Sequence, residues 1–319
     1  MSSTVSVLLP TYEPDPAFLT LAIESVLTQT HQDWTLFIHD DASKADVEAM
    51  VKPFLADSRI QFRRGGRNRG IGGNWNACLK EADGDFVQFL FQDDVWVPAY
   101  LETAVASLVQ HPRAGLISVN HAYASEAGAE TFFRSGGFAE LAALKQERLK
   151  PGLQESIPFL HWWMARGLRP NLIGEPSFVM LRRSVTDRVG LFREDLPQGL
   201  DLEYWIRMLL AADWAYIPQE LGAFRVHKGG ASMRNDTMGA GLFDRLACFE
   251  PLLIHSRTAA AAQAGVRQSL AGMRDRFRTR VATGGRVGGG KGKLIAFALR
   301  HPFLVLAGLF GKRERNSGN

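Results

Sequence analysis

Cysteines and signal-like apolar segments are scarce in this 319-residue chain. Only Cys78 and Cys248 occur, and neither has a Cys or His neighbour at metal-ligand spacing. A disulfide framework and a structural zinc site therefore have no support. The first residues also lack the basic start and long apolar stretch of a secretory signal. From the sequence we expect a cytoplasmic protein in a reducing environment.

Two common nucleotide-binding loops are missing as well. No Gly-Lys-Ser/Thr sequence of a P-loop occurs, which disfavours a P-loop hydrolase. Residues 70–74 begin like a dinucleotide-binding loop, but Trp75 stands where the third glycine is required. This loop also does not follow the first predicted strand. We therefore reject NAD binding.

Acidic residues are nearly absent from the C-terminal part of the chain. Residues 251–319 contain 13 Lys/Arg and 2 Asp/Glu, a net charge of +11, whereas residues 1–250 carry a net charge of −7. The apolar segments 294–299 and 303–310 are separated by Arg300, His301 and Pro302, so neither reaches the ~20 residues of a spanning helix. This tail predicts peripheral contact with the inner face of the cytoplasmic membrane, or packing on the main domain; a nucleic-acid partner is not expected.

Apolar segments and amphipathic segments alternate over the first hundred residues. Strands are predicted at residues 5–9, 34–38 and 60–62 and in the apolar run 86–91, with helices at 15–29, 45–55 and 74–82 and a Gly-rich loop at 65–73. Such alternation predicts an α/β fold with a mainly parallel sheet flanked by helices.

Polar clusters follow three of these strands. Pro10-Thr11, Asp40-Asp41 and Asp93-Asp94 each come at a carboxyl end, where ligands collect in parallel sheets. Adjacent carboxylates after a buried strand repel each other, and a nucleotide-bound Mg²⁺ or Mn²⁺ would relieve that repulsion. The alternative is an acidic turn or a helix cap.

A second candidate carboxylate begins a later helix. An apolar stripe with helical spacing leaves Asp201 near the helix N-terminus, where the helix dipole favours its ionised form. The alternative for Asp201 is an ordinary N-cap. The stripe is formed by Leu202, Trp205, Ile206, Leu209 and Leu210.

Several motifs, in order from Val5 to about Ser232, resemble those of the family-2 glycosyltransferases with a GT-A fold. The residues that carry the resemblance are Asn76 and the segments 5–12, 25–30, 40–43, 68–70, 82–86, 92–94, 174–183, 190–192, 200–207 and 224–228. One departure concerns Phe91, where many members of the family carry an aspartate.

The resemblance implies a Rossmann-like GT-A domain at residues 1–235, with a nucleotide-sugar half (1–119) and an acceptor half (120–235). A basic helical extension with an apolar C-terminus follows at 236–319. The implied activity is inverting transfer of a sugar from a nucleotide-sugar donor to a saccharide or lipid-linked saccharide, in bacterial surface polysaccharide synthesis. The alternatives are a non-catalytic nucleotide-sugar-binding module and a nucleotidyltransferase.

The resemblance also suggests roles for individual residues. Asp201 is the expected general base, with Glu203 as its rival. Asp94 is the expected direct ligand of a divalent metal, helped by Asp93, and His227 faces the metal or the diphosphate. On the acceptor side we expect Glu175, Glu203 and Trp162, although Trp162 also suits plain packing. The expected donor-binding residues are Pro10, Thr11, Tyr12, Glu13, Asp41, Asn68, Gly70, Asp93 and Arg225.

Overall fold

The computed structural model describes residues 3–127, 138–227, 229–230, 243–282, 299–302 and 304, with only the backbone described for 273–282. Residue contacts divide the chain into two compact units. The first unit comprises Met1–Ser156 and Pro170–Gly241, and the second comprises Ile157–Arg169 and Leu242–Asn319.

The first unit contains a large sheet and a small one. The strands are β1 (Val5–Thr11), β2 (Trp34–Asp40), β3 (Ile60–Arg64), β4 (Phe86–Phe89), β5 (Val95–Trp96), β6 (Ala114–Val119), β7 (Ala122–Ser125), β8 (Gly152–Gln154), β9 (Val179–Arg182), β10 (Asp213–Ile217) and β11 (Gly222–Val226). The eight-stranded sheet has the order β3-β2-β1-β4-β9-β6-β10-β8, and the three-stranded sheet has the order β5-β11-β7.

Parallel pairing dominates the part of the large sheet that consists of β1 to β4. Strand β1 pairs in parallel with β2 and with β4, and Val5 lies opposite both Trp34 and Phe86. Every residue of β1 and β4 is buried, as expected for strands covered on both faces. Strand β9 runs antiparallel to both of its neighbours, β4 and β6. The predicted mainly parallel sheet is confirmed.

The helices of the first unit are α1 (Pro16–Leu27), α2 (Val47–Val51), α3 (Gly70–Leu79), α4 (Tyr100–Gln110), α5 (Phe138–Arg148), α7 (Arg183–Val189) and α8 (Leu200–Ala211). Short 3₁₀ helices occur at Lys52–Phe54 and Pro176–Phe178. Helix α1 begins where predicted because Asp15 caps it, accepting hydrogen bonds from the N–H groups of Ala17 and Phe18.

The Gly-rich loop prediction is wrong for residues 70–73, which form the first turn of α3. The helix start is stabilised from outside the segment, because the Asp41 carboxylate accepts the N–H groups of Arg69 and Gly70. Gly72 permits a close approach, since a Cβ there would lie 2.9 Å from the Glu194 Cα. Tertiary contacts thus outweigh the low helix propensity of glycine.

The small sheet joins the segment after β4 to the segment that carries Arg225. Strand β11 pairs antiparallel with β5 and parallel with β7. A Cβ at Gly222 would lie 2.4 Å from the Val95 carbonyl oxygen, so this crossing requires glycine. The pairing brings the end of β11 to the turn that contains Asp93 and Asp94.

The second unit is helical where it is described. It contains α6 (Ser156–Ala165) from Ile157 onward, with α9 (Asp244–Ala247), α10 (Glu250–Ile254) and α11 (Ala259–Ala282). Its buried side chains include Trp163 and Phe249. In the described part of the chain, no helix combines the length and the apolar character needed to span a bilayer. Most of the predicted membrane-contacting tail, residues 283–298 and 305–319, lies outside the described residues.

Candidate active site

A cavity of about 460 Å³ opens beyond the carboxyl ends of β1, β2 and β4. Eleven of the predicted site residues line it: Pro10, Thr11, Tyr12, Asp41, Asn68, Gly70, Asp93, Glu175, Asp201, Arg225 and His227. Ligands collect at this edge in open α/β sheets. The predicted convergence of the three strand ends is therefore present in the structure. Glu13, Asp94, Glu203 and Trp162 are not among the lining residues.

Asp93 and His227 form a pair in the cavity wall. The chain leaves the large sheet at Phe91, whose N–H donates to Ser177 Oγ at 3.0 Å, and Asp93 lies in the turn that follows. The Asp93 Oδ2 atom lies 2.8 Å from His227 Nε2. The edge of Phe18 packs against the His227 ring at 5.4 Å between centroids. These contacts hold side by side one oxygen atom and one nitrogen atom of the kinds that coordinate metals.

Asp94 is fully buried beside this pair. Its Oδ1 accepts the backbone N–H of Arg225 at 3.0 Å, while its Oδ2 has no hydrogen-bond partner within the described ranges. Burial raises the pKa of the Asp94 carboxyl well above its ordinary value, and the charge of Asp93 raises it further. The structure therefore brings Asp93, rather than the expected Asp94, to the cavity surface.

Arg225 lies in the wall and holds the same turn. Its Nε donates to the Asp93 carbonyl oxygen at 3.0 Å, and its guanidinium forms an ion pair with Glu126. The guanidinium also packs over the Phe18 ring at 4.3 Å. Arg225 is thus a fixed positive charge of the cavity rather than a flexible surface arginine.

The first strand ends in a backbone clamp that the sequence did not reveal. The Gln92 side chain accepts the Tyr12 N–H at 2.9 Å and donates to the Tyr12 carbonyl oxygen at 3.3 Å. Asn74 donates to the Thr11 carbonyl oxygen at 3.0 Å from its buried position on α3. Both contacts leave the Tyr12 ring in the cavity wall, 38% exposed.

Asp41 lines the cavity, and Glu13 fixes the loop next to it. Burial raises the pKa of the Asp41 carboxyl, although hydrogen bonds from the N–H groups of Arg69 and Gly70 oppose that shift. Glu13, an expected donor contact, holds the chain locally: its N–H donates to Ser43 Oγ at 2.8 Å and its Oε1 accepts the Lys44 N–H at 2.7 Å. Its contact with the donor stays a prediction. Sequence reasoning did not foresee this local role for Glu13.

Asp201 lies in the first turn of α8 and lines the cavity. Gly199 is the cap residue of this helix, so Asp201 is not its N-cap. The Asn171 Nδ2 donates to Asp201 Oδ2 at 3.2 Å and to the Gly174 carbonyl oxygen at 3.2 Å. The Gly174 oxygen also accepts Trp205 Nε1–H at 3.0 Å. The carboxylate is thus held against the chain segment that leads to Glu175.

Glu203 has a different environment from Asp201. Only 2% of it is exposed, and both of its oxygens accept hydrogen bonds from Arg207 at 2.9–3.0 Å. Arg207 also donates to the carbonyl oxygens of Val189 and Leu191. These contacts make Glu203 part of a buried ion pair that joins α8 to the preceding loop.

An aromatic cluster lies behind the floor of the cavity. Phe91 and Trp75 both line the cavity, and their ring centroids are 4.8 Å apart. Trp75 packs edge-to-face with Phe192, with 5.3 Å between the ring centroids. Phe192 stacks on Tyr204 of α8 at 3.9 Å. Phe91, the departure from the family pattern, thus packs in a cluster that extends to the helix of Asp201.

The sequence comparison settles the family. Residues 6–172, more than half of the chain, match the family model described as Glycosyl transferase family 2. The chain belongs to glycosyl transferase family 2. The predicted family and the predicted enzyme class are therefore confirmed at this level.

Known relatives agree with this family 2 assignment. The Escherichia coli protein WfgD, a UDP-Glc:alpha-D-GlcNAc-diphosphoundecaprenol beta-1,3-glucosyltransferase, is 34% identical over 107 residues, which are 34% of this chain and 42% of WfgD. The chain spans less than two thirds of the length of the first curated relatives that it matches.

Solved structures of low identity share the fold. S. aureus TarS 1–349 in complex with UDP-GlcNAc has a TM-score of 0.61 at 16% identity, covering 95% of this chain and 81% of that chain. The mannosyltransferase PcManGT from Pyrobaculum calidifontis, in complex with GDP-Man and Mn²⁺, has a TM-score of 0.55 at 16% identity, covering 98% and 88%. The predicted GT-A fold is confirmed.

Trp162, expected on the acceptor side, belongs to the second unit of this family 2 chain. Its ring lies 5.8 Å from Phe159, and the Arg166 guanidinium packs over it at 5.4 Å. These contacts agree with the packing alternative that the sequence left open. The substrate role of Trp162 stays a prediction.

Proposed function

We propose that this family 2 chain transfers a sugar from a nucleoside-diphosphate sugar to a hydroxyl group of an acceptor, with inversion at the anomeric carbon. The observation that carries the proposal is one cavity with two kinds of polar group. The Asp93–His227 pair and Arg225 form one polar group in its lining, and Asp201 is a second polar group in the same lining. The first suits a diphosphate, and the second suits removal of a proton.

The metal-coordinating side chains beside Arg225 fit a divalent cation. Within the described ranges no group of three Asp, Glu, His or Cys side chains is arranged as a metal site. Asp93 Oδ2 and His227 Nε2 nevertheless lie 2.8 Å apart in a hydrogen bond, so a cation would bind in place of the shared proton. The buried Asp94 Oδ2 has no hydrogen-bond partner among the described residues. Magnesium and manganese sites of this kind use one or two protein ligands and take the others from phosphate and water.

Asp93 and His227 are the residues that we propose hold this cation, whose positive charge would favour the ionised form of the buried Asp94 carboxyl. A bound divalent cation supplies positive charge to the diphosphate as it leaves. Arg225 contributes a second fixed positive charge in the same wall. The cation would then offset the negative charges of the adjacent Asp93 and Asp94 carboxylates, which otherwise repel each other.

Asp201 is the proposed general base. A sugar hydroxyl is a weak nucleophile, and Asp201 takes its proton as the oxygen attacks the anomeric carbon. The first-turn position favours the ionised carboxylate, because the N-terminal end of a helix carries partial positive charge. A single displacement of this kind inverts the anomeric carbon and needs no covalent enzyme intermediate.

A saccharide or a lipid-linked saccharide is the proposed acceptor, in the synthesis of a bacterial polysaccharide. The name of WfgD specifies a diphosphoundecaprenol-linked acceptor, which supports this class. Membrane contact through the basic, apolar C-terminus is part of the same proposal. Flotation with anionic liposomes tests it: the full chain is expected to float, and a chain ending at Gly284 is expected to remain in the dense fraction.

A donor panel tests the proposed activity directly. UDP-, GDP- and dTDP-sugars are incubated with Mn²⁺ and a set of p-nitrophenyl hexosides, and the released nucleoside diphosphate is measured. We expect one donor to give release that increases with acceptor and disappears with chelator. Release from no donor, or product formation that a strong chelator leaves unchanged, would count against the proposal.

A further inference from the structure

Glu175 presents a carboxylate to the cavity from within a cluster of ionisable side chains. Its side chain is 24% exposed and lines the cavity, and its Oε2 lies 3.0 Å from His121 Nε2. The Tyr123 hydroxyl lies 3.5 Å from both carboxylate oxygens. His121 is buried and stacks on Phe178 with 4.0 Å between ring centroids.

The groups behind Glu175 maintain its charge. Burial raises the pKa of the Glu175 carboxyl, but the hydrogen bond and charge of His121 and then the charge of Lys145 lower it, and the net shift is downward. Lys145, on α5, is only 2% exposed. Burial lowers the pKa of the Lys145 ammonium, and the negative charge of Glu175 opposes that shift. Removing either partner of such a buried pair would leave the other charge uncompensated.

Glu175 is also connected to the proposed base. Gly174 precedes it with φ +108°, a conformation that favours glycine, and the Gly174 carbonyl oxygen shares the Asn171 amide with Asp201. Trp205, one turn along α8 from Asp201, donates to the same oxygen. Asp201 and Glu175 therefore enter one cavity from segments that are joined by hydrogen bonds.

We propose that Glu175 binds hydroxyl groups of the acceptor sugar next to the hydroxyl that reacts. An ionised carboxylate can accept two hydroxyl donors at once, and such charge-assisted hydrogen bonds are about twice as strong as neutral ones. Glu175 already has His121 at 3.0 Å and the positive charge of Lys145 behind it, so a neutral polyol fits better than a cationic ligand. This inference rests on the proposed function, because it assigns the acceptor side of that cavity.

The test compares Glu175→Gln with the matched control Glu81→Gln. Glu81 pairs with Arg63 on an exposed surface. With the best p-nitrophenyl hexoside of the panel, we expect Glu175→Gln to raise the acceptor KM by ten-fold or more, as loss of a charge-assisted hydrogen bond predicts. The donor Kd and the slow donor hydrolysis without acceptor are expected to change less than two-fold. Glu81→Gln is expected to change none of these quantities.

Deoxy acceptors give a second readout that does not depend on the stability of one variant. Removing the hydroxyl next to the reacting position should weaken the wild-type reaction about ten-fold and the Glu175→Gln reaction hardly at all. Glu175→Asp, which keeps the charge but shortens the side chain, replaces Glu175→Gln if the latter does not fold. It should raise the acceptor KM in the same way.

Three results are decisive against the inference. An unchanged acceptor KM in a folded Glu175 variant overturns it, as does a deoxy effect that is equal in wild type and variant. A raised donor Kd with normal acceptor KM assigns Glu175 to the donor instead. If the wild-type protein hydrolyses no donor and glycosylates no acceptor, the proposed function itself is wrong. This outcome is distinguishable from failure of the Glu175 inference because it is seen before any variant is made.

Discussion

His227 Nε2 lies 2.8 Å from Asp93 Oδ2, and this contact joins the end of β11 to the turn after β4. The two residues are 134 positions apart in the chain. Their pairing depends on the small sheet, in which β11 runs antiparallel to β5, directly after that turn. The geometry of the Asp93–His227 pair therefore depends on the folding of both halves of the first unit.

Replacing Asp93 tests the cation proposal. Asp93→Asn removes the charge and preserves the shape, so we expect the donor Kd measured with Mn²⁺ to rise at least ten-fold. The same measurement with chelator should give equal Kd values for wild type and variant. Asp187→Asn, at a carboxylate whose side chain is 61% exposed, is the matched control and should bind donor normally. Equal wild-type affinity with Mn²⁺ and with chelator would show that the donor binds without metal.

Asn171 is expected to position Asp201 rather than to contact the reacting atoms. Asn171→Ala removes the amide that donates a hydrogen bond to Asp201 Oδ2, so we expect kcat to fall about ten-fold. The Kd for the nucleotide sugar should stay the same.

Asn171→Asp tests the same contact through pH dependence. A second carboxylate disfavours the ionised form of Asp201, and a base works only when deprotonated, so the acid limb of the kcat profile should move up by about one pH unit. Asn120→Asp is the control, since that side chain contacts the Pro218 carbonyl oxygen instead. Unmoved pH profiles for Asn171→Asp would contradict the positioning role.

Glu203 and Arg207 are expected to act in stability. Arg207→Met leaves the buried Glu203 carboxylate without its partner, and we expect the free energy of unfolding in urea to fall by about 3 kcal/mol. The exposed pair of Arg63 and Glu81 provides the control: Arg63→Met should cost less than about 1 kcal/mol. Turnover by the folded fraction of Glu203→Gln should stay within about three-fold of wild type. A loss of turnover without a loss of stability would restore Glu203 as the rival base.

Much of the fold followed from local patterns. The strands β1, β2 and β4 lie where continuous apolar segments predicted them, because burial on both faces leaves a simple signal. The edge strand β3 was also predicted, although Ile60 is its one buried residue. The antiparallel strand β9 and the two-residue strand β5 had no comparable pattern. The helical glycines at 70–73 were missed because Asp41, some 30 positions earlier, supplies the groups that fix the start of α3.

The site was predictable as a set of residues but not in its detailed arrangement. The strand-end rule and the motifs selected most of the cavity wall. They favoured Asp94 over Asp93 as the metal ligand, whereas in the structure Asp94 accepts the Arg225 N–H and Asp93 lines the cavity. Asn171 carried no sequence signal, since its role depends on the turn at Gly174 and on α8. Gln92 belongs to one of the motifs, yet its clamp on Tyr12 is visible only in the three-dimensional structure.

The most direct test of the account compares donor binding with turnover in Asp201→Asn. This change removes the proposed base and keeps the side-chain volume, so calorimetry should give a donor Kd within about two-fold of wild type. The rate of product formation should fall by about 10²- to 10⁴-fold, the usual contribution of a general base. Normal donor binding together with unchanged product formation would contradict the assignment of Asp201 and, with it, the proposed mechanism.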